Sequence, residues 1–189
     1  GLTVIEPGAG AMAPLAIGTM LMVMVYAGGH ISGGHYNPAV TLAVWLRGAC
    51  KAKAVPSYMT AQVLGAVLAA SIVNACKSGS VVTPLRPAVA PAVLVELLFT
   101  FALAYVVLNV ATAKKTAGNS YFGLAIGLTV MAAAYAAGNI SGGAFNPAVA
   151  VGITLMGLST AQNLWIFLVG NLAGGALAAW VFRQVNPHD

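Results

Sequence analysis

Apolar runs of about 20 residues, long enough to cross a bilayer, recur along this chain, each closed by a short polar stretch. Four are plain: Pro56–Cys76, Ala88–Val110, Ser120–Ala137 and Ala161–Val185. A fifth, Ala13–Gly28, is slightly short and can be extended by Ala11 and Met12. The pattern predicts five transmembrane helices. Between them lie loops rich in turn and basic residues, "KSGSVVTPLRP" from Lys77 to Pro87 and "ATAKKTAGNS" from Ala111 to Ser120. Nothing in the pattern marks off a soluble domain, so residues 1–189 are read as one unit.

Two stretches fit neither period. His30 to Val40 reads "HISGGHYNPAV" and Asn139 to Val149 reads "NISGGAFNPAV". Laid over each other at an offset of 109 residues, Gly28–Gly48 and Ala137–Gly157 agree at eleven of 21 positions. They are Gly29, Ile31, Ser32, Gly33, Gly34, Asn37, Pro38, Ala39, Val40, Leu46 and Gly48. Such agreement marks an internal duplication. Three predicted spans separate the two phrases, so they enter the membrane from opposite faces. That is an inverted-topology repeat, with residues 1–76 as an incomplete first copy and 88–189 as the second.

Each phrase carries its own instructions. The Gly-Gly pair frees the backbone for conformations other residues avoid. The Asn suits a helix N-cap and the Pro the first helical position. Short helices are therefore expected from Asn37 to about Arg47 and from Asn146 to about Met156. Eleven residues rise ~16 Å, half a bilayer. Irregular backbone at that depth is tolerated only inside protein or along a watery cavity. The expectation is two re-entrant half-helices meeting N-terminus to N-terminus at the midplane.

Composition agrees with the pattern. Hydrophobic residues make up 60% of the chain and charged residues 6%, against roughly 25% charged in a soluble domain. The net charge of +5 is spread thinly over loops and forms no patch for nucleic acid. If the first span runs inward, Arg47, Lys51, Lys53, Lys114, Lys115 and Arg183 lie inside and only Lys77 and Arg86 outside, as the positive-inside rule prefers. This places the C-terminus in the cytoplasm and the chain in a plasma membrane. Cys50 and Cys76 supply neither a disulfide framework nor metal spacing and are read as buried or interfacial thiols.

At the two Asn-Pro-Ala motifs the sequence resembles the aquaporin, or major intrinsic protein, family. The likeness extends over the whole chain. Gln62 with Gly65-Ala66 in "AQVLGA" is similar to the family's third helix, Glu96 in "VELLFTFALAYVV" to its fourth, and Trp165–Ala179 to its sixth. Six spanning helices are expected in that family and five are predicted here. The second repeat has a full helix, Ala88–Val110, ahead of the one that leads into its phrase; the first has none. A leading helix of about 20 residues is therefore expected to be missing, with "GLTVI" as its last turn, and with it the acid that symmetry would pair with Glu96.

The resemblance implies a homotetramer in membrane lipid with one pore per subunit for water and small neutral solutes, and no cofactor. It implies two filters. One is the pair of motifs, Asn37-Pro38-Ala39 and Asn146-Pro147-Ala148. The other is an outer ring, matched here by Ile17, Ala134 (Tyr135 is adjacent), Gly143 and Val149. Most members carry Arg directly after the second motif, where this chain has Val149. The Asp common to glycerol-conducting members one position later is Ala150.

Within that frame the two Asn amides are expected to donate to a passing solute. The carbonyls of Gly33, Gly34, His35 and Tyr36, and of Gly142, Gly143, Ala144 and Phe145, would form a ladder of acceptors. Each half-helix end adds roughly half a positive charge that opposes cations. Glu96, the one acid deep in a span, is expected to accept hydrogen bonds from backbone of the second re-entrant loop. The alternatives are a proton-coupled secondary transporter, which would need more than one buried acid, and a structural membrane protein that conducts nothing. No nucleophile–base pair or metal cluster is apparent, so no enzyme is expected. Tyr26, Trp45, Tyr58, Tyr121 and Trp165 read as interfacial anchors. Gly65, Gly123, Gly127, Gly170, Gly174 and Gly175 read as close helix crossings.

Overall fold

The computed structural model describes residues 1–189. Five long helices cross the molecule: α1 (Ala13–Ser32), α3 (Val55–Cys76), α4 (Val89–Val107), α5 (Phe122–Ser141) and α7 (Leu164–Val185). All are long and apolar enough to span a bilayer. Two short helices, α2 (Pro38–Arg47) and α6 (Pro147–Leu155), fold back between them. The only strand-like pairing is an isolated bridge between Leu85 and Ser159. The chain is thus an all-α, multi-pass integral membrane protein. Gly1–Ile5 closes one turn, with Val4 N and Ile5 N both donating to Gly1 O.

The helices preceding each phrase run further than their hydropathy predicts. α1 continues past Gly28 to Ser32 and α5 past Ala137 to Ser141. The first residues of each phrase, including Ile31-Ser32 and Ile140-Ser141, are therefore the last helical turn. Weak apolarity there reflects polar side chains that bond locally, not a broken backbone. Each helix stops because Gly33 (φ +82°) and Gly142 (φ +99°) take a left-handed C-cap. Gly34 and Gly143 follow at φ +61° and +64°, then Tyr36 and Phe145, both at φ +46°. Two bulky residues in this region at equivalent positions mark a strained turn kept in both copies.

Two helix pairs form the frame, α1 with α5 across the repeat and α4 with α7 within its second copy. α1 lies on α5, where Gly18 and Gly127 bring the two backbones together; a Cβ on either would fall within 2.6 Å of the other's carbonyl. α4 lies on α7, with Gly170 and Gly174 against Val93, Leu97 and Phe101. Gly175 seats α7 on the Ala39 carbonyl of α2. Gly65 has open space around its missing side chain, so it is not the crossing point its composition predicts. The largest core cluster unites α2, α4 and α7 through Val40, Ala43, Val44, Leu103, Ala104, Ala178 and Phe182.

Candidate functional site: two half-helices and the cavity between them

Asn37 and Asn146 sit at the N-caps of α2 and α6 in extended conformation, each followed by Pro at the first helical position. The side-chain oxygens do the capping. Asn37 Oδ1 accepts from Ala39 N at 2.9 Å, and Asn146 Oδ1 from Ala148 N at 2.9 Å and Val149 N at 3.4 Å. Such caps contribute about 1 kcal/mol each. The amide nitrogens reach across the pseudo-twofold. Asn37 Nδ2 donates to Phe145 O at 2.8 Å, and Asn146 Nδ2 to Tyr36 O at 2.9 Å. This reciprocal pair of bonds brings the two helix N-termini face to face.

The carbonyls of Tyr36 and Phe145 each accept the opposite Asn amide and keep a second lone pair toward the cavity that both residues line. The carbonyls of Gly34, His35, Gly142, Gly143 and Ala144 accept no bond from the protein, and their residues line the cavity. Gly33, expected beside them, is the left-handed C-cap of α1 and does not line the cavity, whereas Gly142, the equivalent cap of α5, does. Pro38, Ala39, Pro147 and Ala148 are buried behind the Asn pair as helix-packing residues.

The cavity itself holds about 860 Å³ and runs past both half-helices. Its walls are apolar stripes at four-residue spacing: Ile17, Leu21 and Val25 on α1, Ile126, Val130 and Gly138 on α5, Leu103 and Val107 on α4. Asn37, Asn146, His35, Gly143 and Val149 interrupt them. Of the four residues expected in the outer ring, Ile17, Gly143 and Val149 line the cavity, and Ala134 lies on α5 between the cavity-lining Val130 and Gly138. Its neighbour Tyr135 is 52% exposed on the outside of the helix.

Two polar networks hold the loops. Glu96, fully buried, accepts four hydrogen bonds: Ser141 Oγ at 2.7 Å and Ala144 N at 3.0 Å on Oε1, Phe145 N and Asn171 Nδ2 both at 2.7 Å on Oε2. Four donors fill the acceptor positions of its two oxygens. The first loop is held differently. Tyr58 OH donates to Ser32 O at 2.5 Å, and the Tyr58 ring stacks on His35 at 4.8 Å. His35 Nδ1 lies 3.2 Å from Thr41 Oγ1, which also accepts from Gln62 Nε2 at 2.9 Å. Tyr58, read from sequence as a lipid-interface anchor, is instead a brace of this loop. Tyr26 likewise stitches helices, donating to Ser120 O and accepting from Leu124 N.

At the outer end the cavity is lined by Thr83, Leu85 and Arg86 from the α3–α4 loop and by Leu158 and Ser159. Sequence reasoning gave Arg86 no role beyond marking the outer face.

Helical re-entrant membrane proteins with two opposed, N-capped half-helices form a distinct class, and the comparisons with known proteins place the chain within it. The sequence profile of the major intrinsic protein family matches residues 8–182, and the chain belongs to that family. It is 39% identical over 175 residues to Aquaporin NIP1-1 of Oryza sativa subsp. japonica, covering 89% of this chain and 60% of that one. To Aquaporin NIP1-2 of Arabidopsis thaliana it is 35% identical over 191 residues, covering 91% and 62%. The chain thus spans about three-fifths of these relatives' length. The fold matches the aquaglyceroporin from Plasmodium falciparum with a TM-score of 0.82, at 21% identity, over 97% of this chain and 86% of that one.

Proposed function

We propose that the protein is a passive channel for water and small uncharged solutes, with its narrowest polar point at Asn37 and Asn146. The observation that supports this most is the reciprocal Asn–carbonyl bonding at the centre of a continuous apolar cavity. Each amide nitrogen has a second hydrogen beyond the one given to the opposite loop, and that hydrogen is available to a solute. The two helix ends add positive potential at the same level, which opposes cations. Apolar walls elsewhere keep transit weakly bound. Water and small neutral molecules are the solutes that such a lumen suits.

The outer ring of Ile17, Ala134, Gly143 and Val149 lacks the guanidinium that most members place there. We read its selectivity as looser than water-only. Glu96, saturated by four donors, supports a channel over a proton-coupled transporter. A homotetramer in the plasma membrane, with the C-terminus cytoplasmic, is the assembly we infer.

The test is stopped-flow of the full chain in liposomes, comparing water, glycerol, urea and ammonia. Flux that rises linearly with gradient supports the channel. Saturating uptake driven by a pH gradient would overturn it.

A further inference from the structure

Arg86 stands out among the charged groups. Its loop is pinned across the outer mouth by Leu85 N donating to Leu158 O at 3.0 Å and by the Leu85–Ser159 bridge. The side chain is exposed, lines the cavity, and makes neither a hydrogen bond nor an ion pair. No carboxylate forms an ion pair with it. Glu96 is buried in its own network and Asp189 pairs with Arg47 on the opposite face, while Glu6, exposed near the α3–α4 loop and accepting from Gly8 N, makes no ion pair with Arg86. The other outer cation, Lys77, donates to Pro7 O.

A second observation points into the same space. Ser159 is 5% exposed, lines the same outer end, and its Oγ has no partner. A buried hydroxyl without a partner is uncommon in folded protein, and the cavity is where its partner can come from. On the same side lie the unpaired carbonyls of Gly142, Gly143 and Ala144. The mouth therefore offers a forked donor, a hydroxyl and a row of acceptors, while the ring beneath it offers only Ile17 and Val149.

We propose that Arg86 and Ser159 are the selectivity-determining polar groups of the outer mouth, supplying from the α3–α4 loop and the segment after α6 the charge and donors that position 149 lacks. This rests on the channel reading. The ligand class is a small uncharged solute bearing oxygen acceptors and hydroxyl or amide donors, as in polyols and urea. The guanidinium donates to the solute's oxygens and repels cations. The carbonyl row takes the solute's own donors and disfavours anions.

The experiment measures water, glycerol and potassium permeability of the full chain in liposomes. Arg86→Ala lowers the glycerol-to-water ratio about fivefold and Arg86→Glu raises potassium leak about tenfold. Arg86→Lys keeps potassium out but recovers glycerol only partly, because an ammonium lacks the fork. Ser159→Ala lowers the glycerol ratio by about twofold. Adding Val149→Arg to Arg86→Glu restores cation exclusion, which a merely structural role for Arg86 would not allow. Because Arg86 bonds to nothing, its variants fold. Arg86→Ala and Arg86→Glu matching wild type in both readouts would overturn the proposal while the channel reading stands. A wild-type protein that passes neither water nor glycerol would overturn both.

Discussion

The two re-entrant loops, Gly33–Tyr36 and Gly142–Phe145, have nearly the same backbone and are held by different chemistry. Their glycines and aromatics occupy the same left-handed region within about 20°. The second loop is gripped from inside the protein: Ala144 N and Phe145 N donate to one buried carboxylate, and Phe145 is itself buried against Phe99, Ala133 and Ala137. Within this chain the first is held by Tyr58, Thr41 and Gln62, and Tyr36 remains 36% exposed. The positive-φ turn and the Asn cap are the same in both.

The largest expected effect comes from removing the grip on the second loop. Glu96→Gln replaces an acceptor that holds two donors with an amide that opposes them, and should cost about 2–4 kcal/mol. Thermal unfolding in detergent should show the loss, with flux falling alongside it and no proton coupling appearing. If stability fell no further than for a surface substitution, the asymmetry drawn between the loops would be unfounded.

Next in size are the turns common to both loops. Gly34→Ala and Gly143→Ala each put a Cβ at positive φ, 3.3–3.4 Å from the backbone of Gly29 or Gly138. Each should cost about 1–2 kcal/mol, and the two costs should be alike. A large difference between them would mean that the side-chain scaffolds, not the turns, set the backbone.

Tyr58→Phe touches only the first loop. Losing the bond to Ser32 O should cost about 1 kcal/mol, and amide exchange should quicken around His35 while the second loop is unchanged. Equal quickening in both loops would show them to be one cooperative unit.

The smallest effect should be that of mercurials. Neither Cys50 nor Cys76 lines the cavity, and the ring position where mercury-sensitive members of the family often carry Cys is Gly143. Inhibition should be weak and abolished by Cys76→Ser, the more exposed thiol. Strong block surviving removal of both thiols would place a reactive group where none has been assigned.

Much of this was legible because the duplication wrote it twice. The Asn-Pro-Ala caps, the half-helix lengths and the inverted order follow from local rules that need no tertiary information. Glu96 could be matched to loop donors because an acid in a span must find them. Helix ends were less legible: Ile31-Ser32 and Ile140-Ser141 are polar enough to read as loop, yet Gly33 and Gly142 set the stops. Arg86 and Tyr58 were missed because what they touch depends on a distant loop lying across the mouth and on a stacked ring. Neither leaves a periodic trace.

The crossed bonds from Asn37 to Phe145 and from Asn146 to Tyr36 carry one more consequence. The aperture at the middle of the molecule is set by hydrogen-bond lengths between the two halves, not by the packing of side chains around it. Such a spacer is stiff: it cannot narrow without compressing a 2.8–2.9 Å contact or widen without breaking one. On the channel reading, the centre is a fixed orifice and a valve would operate at the two mouths.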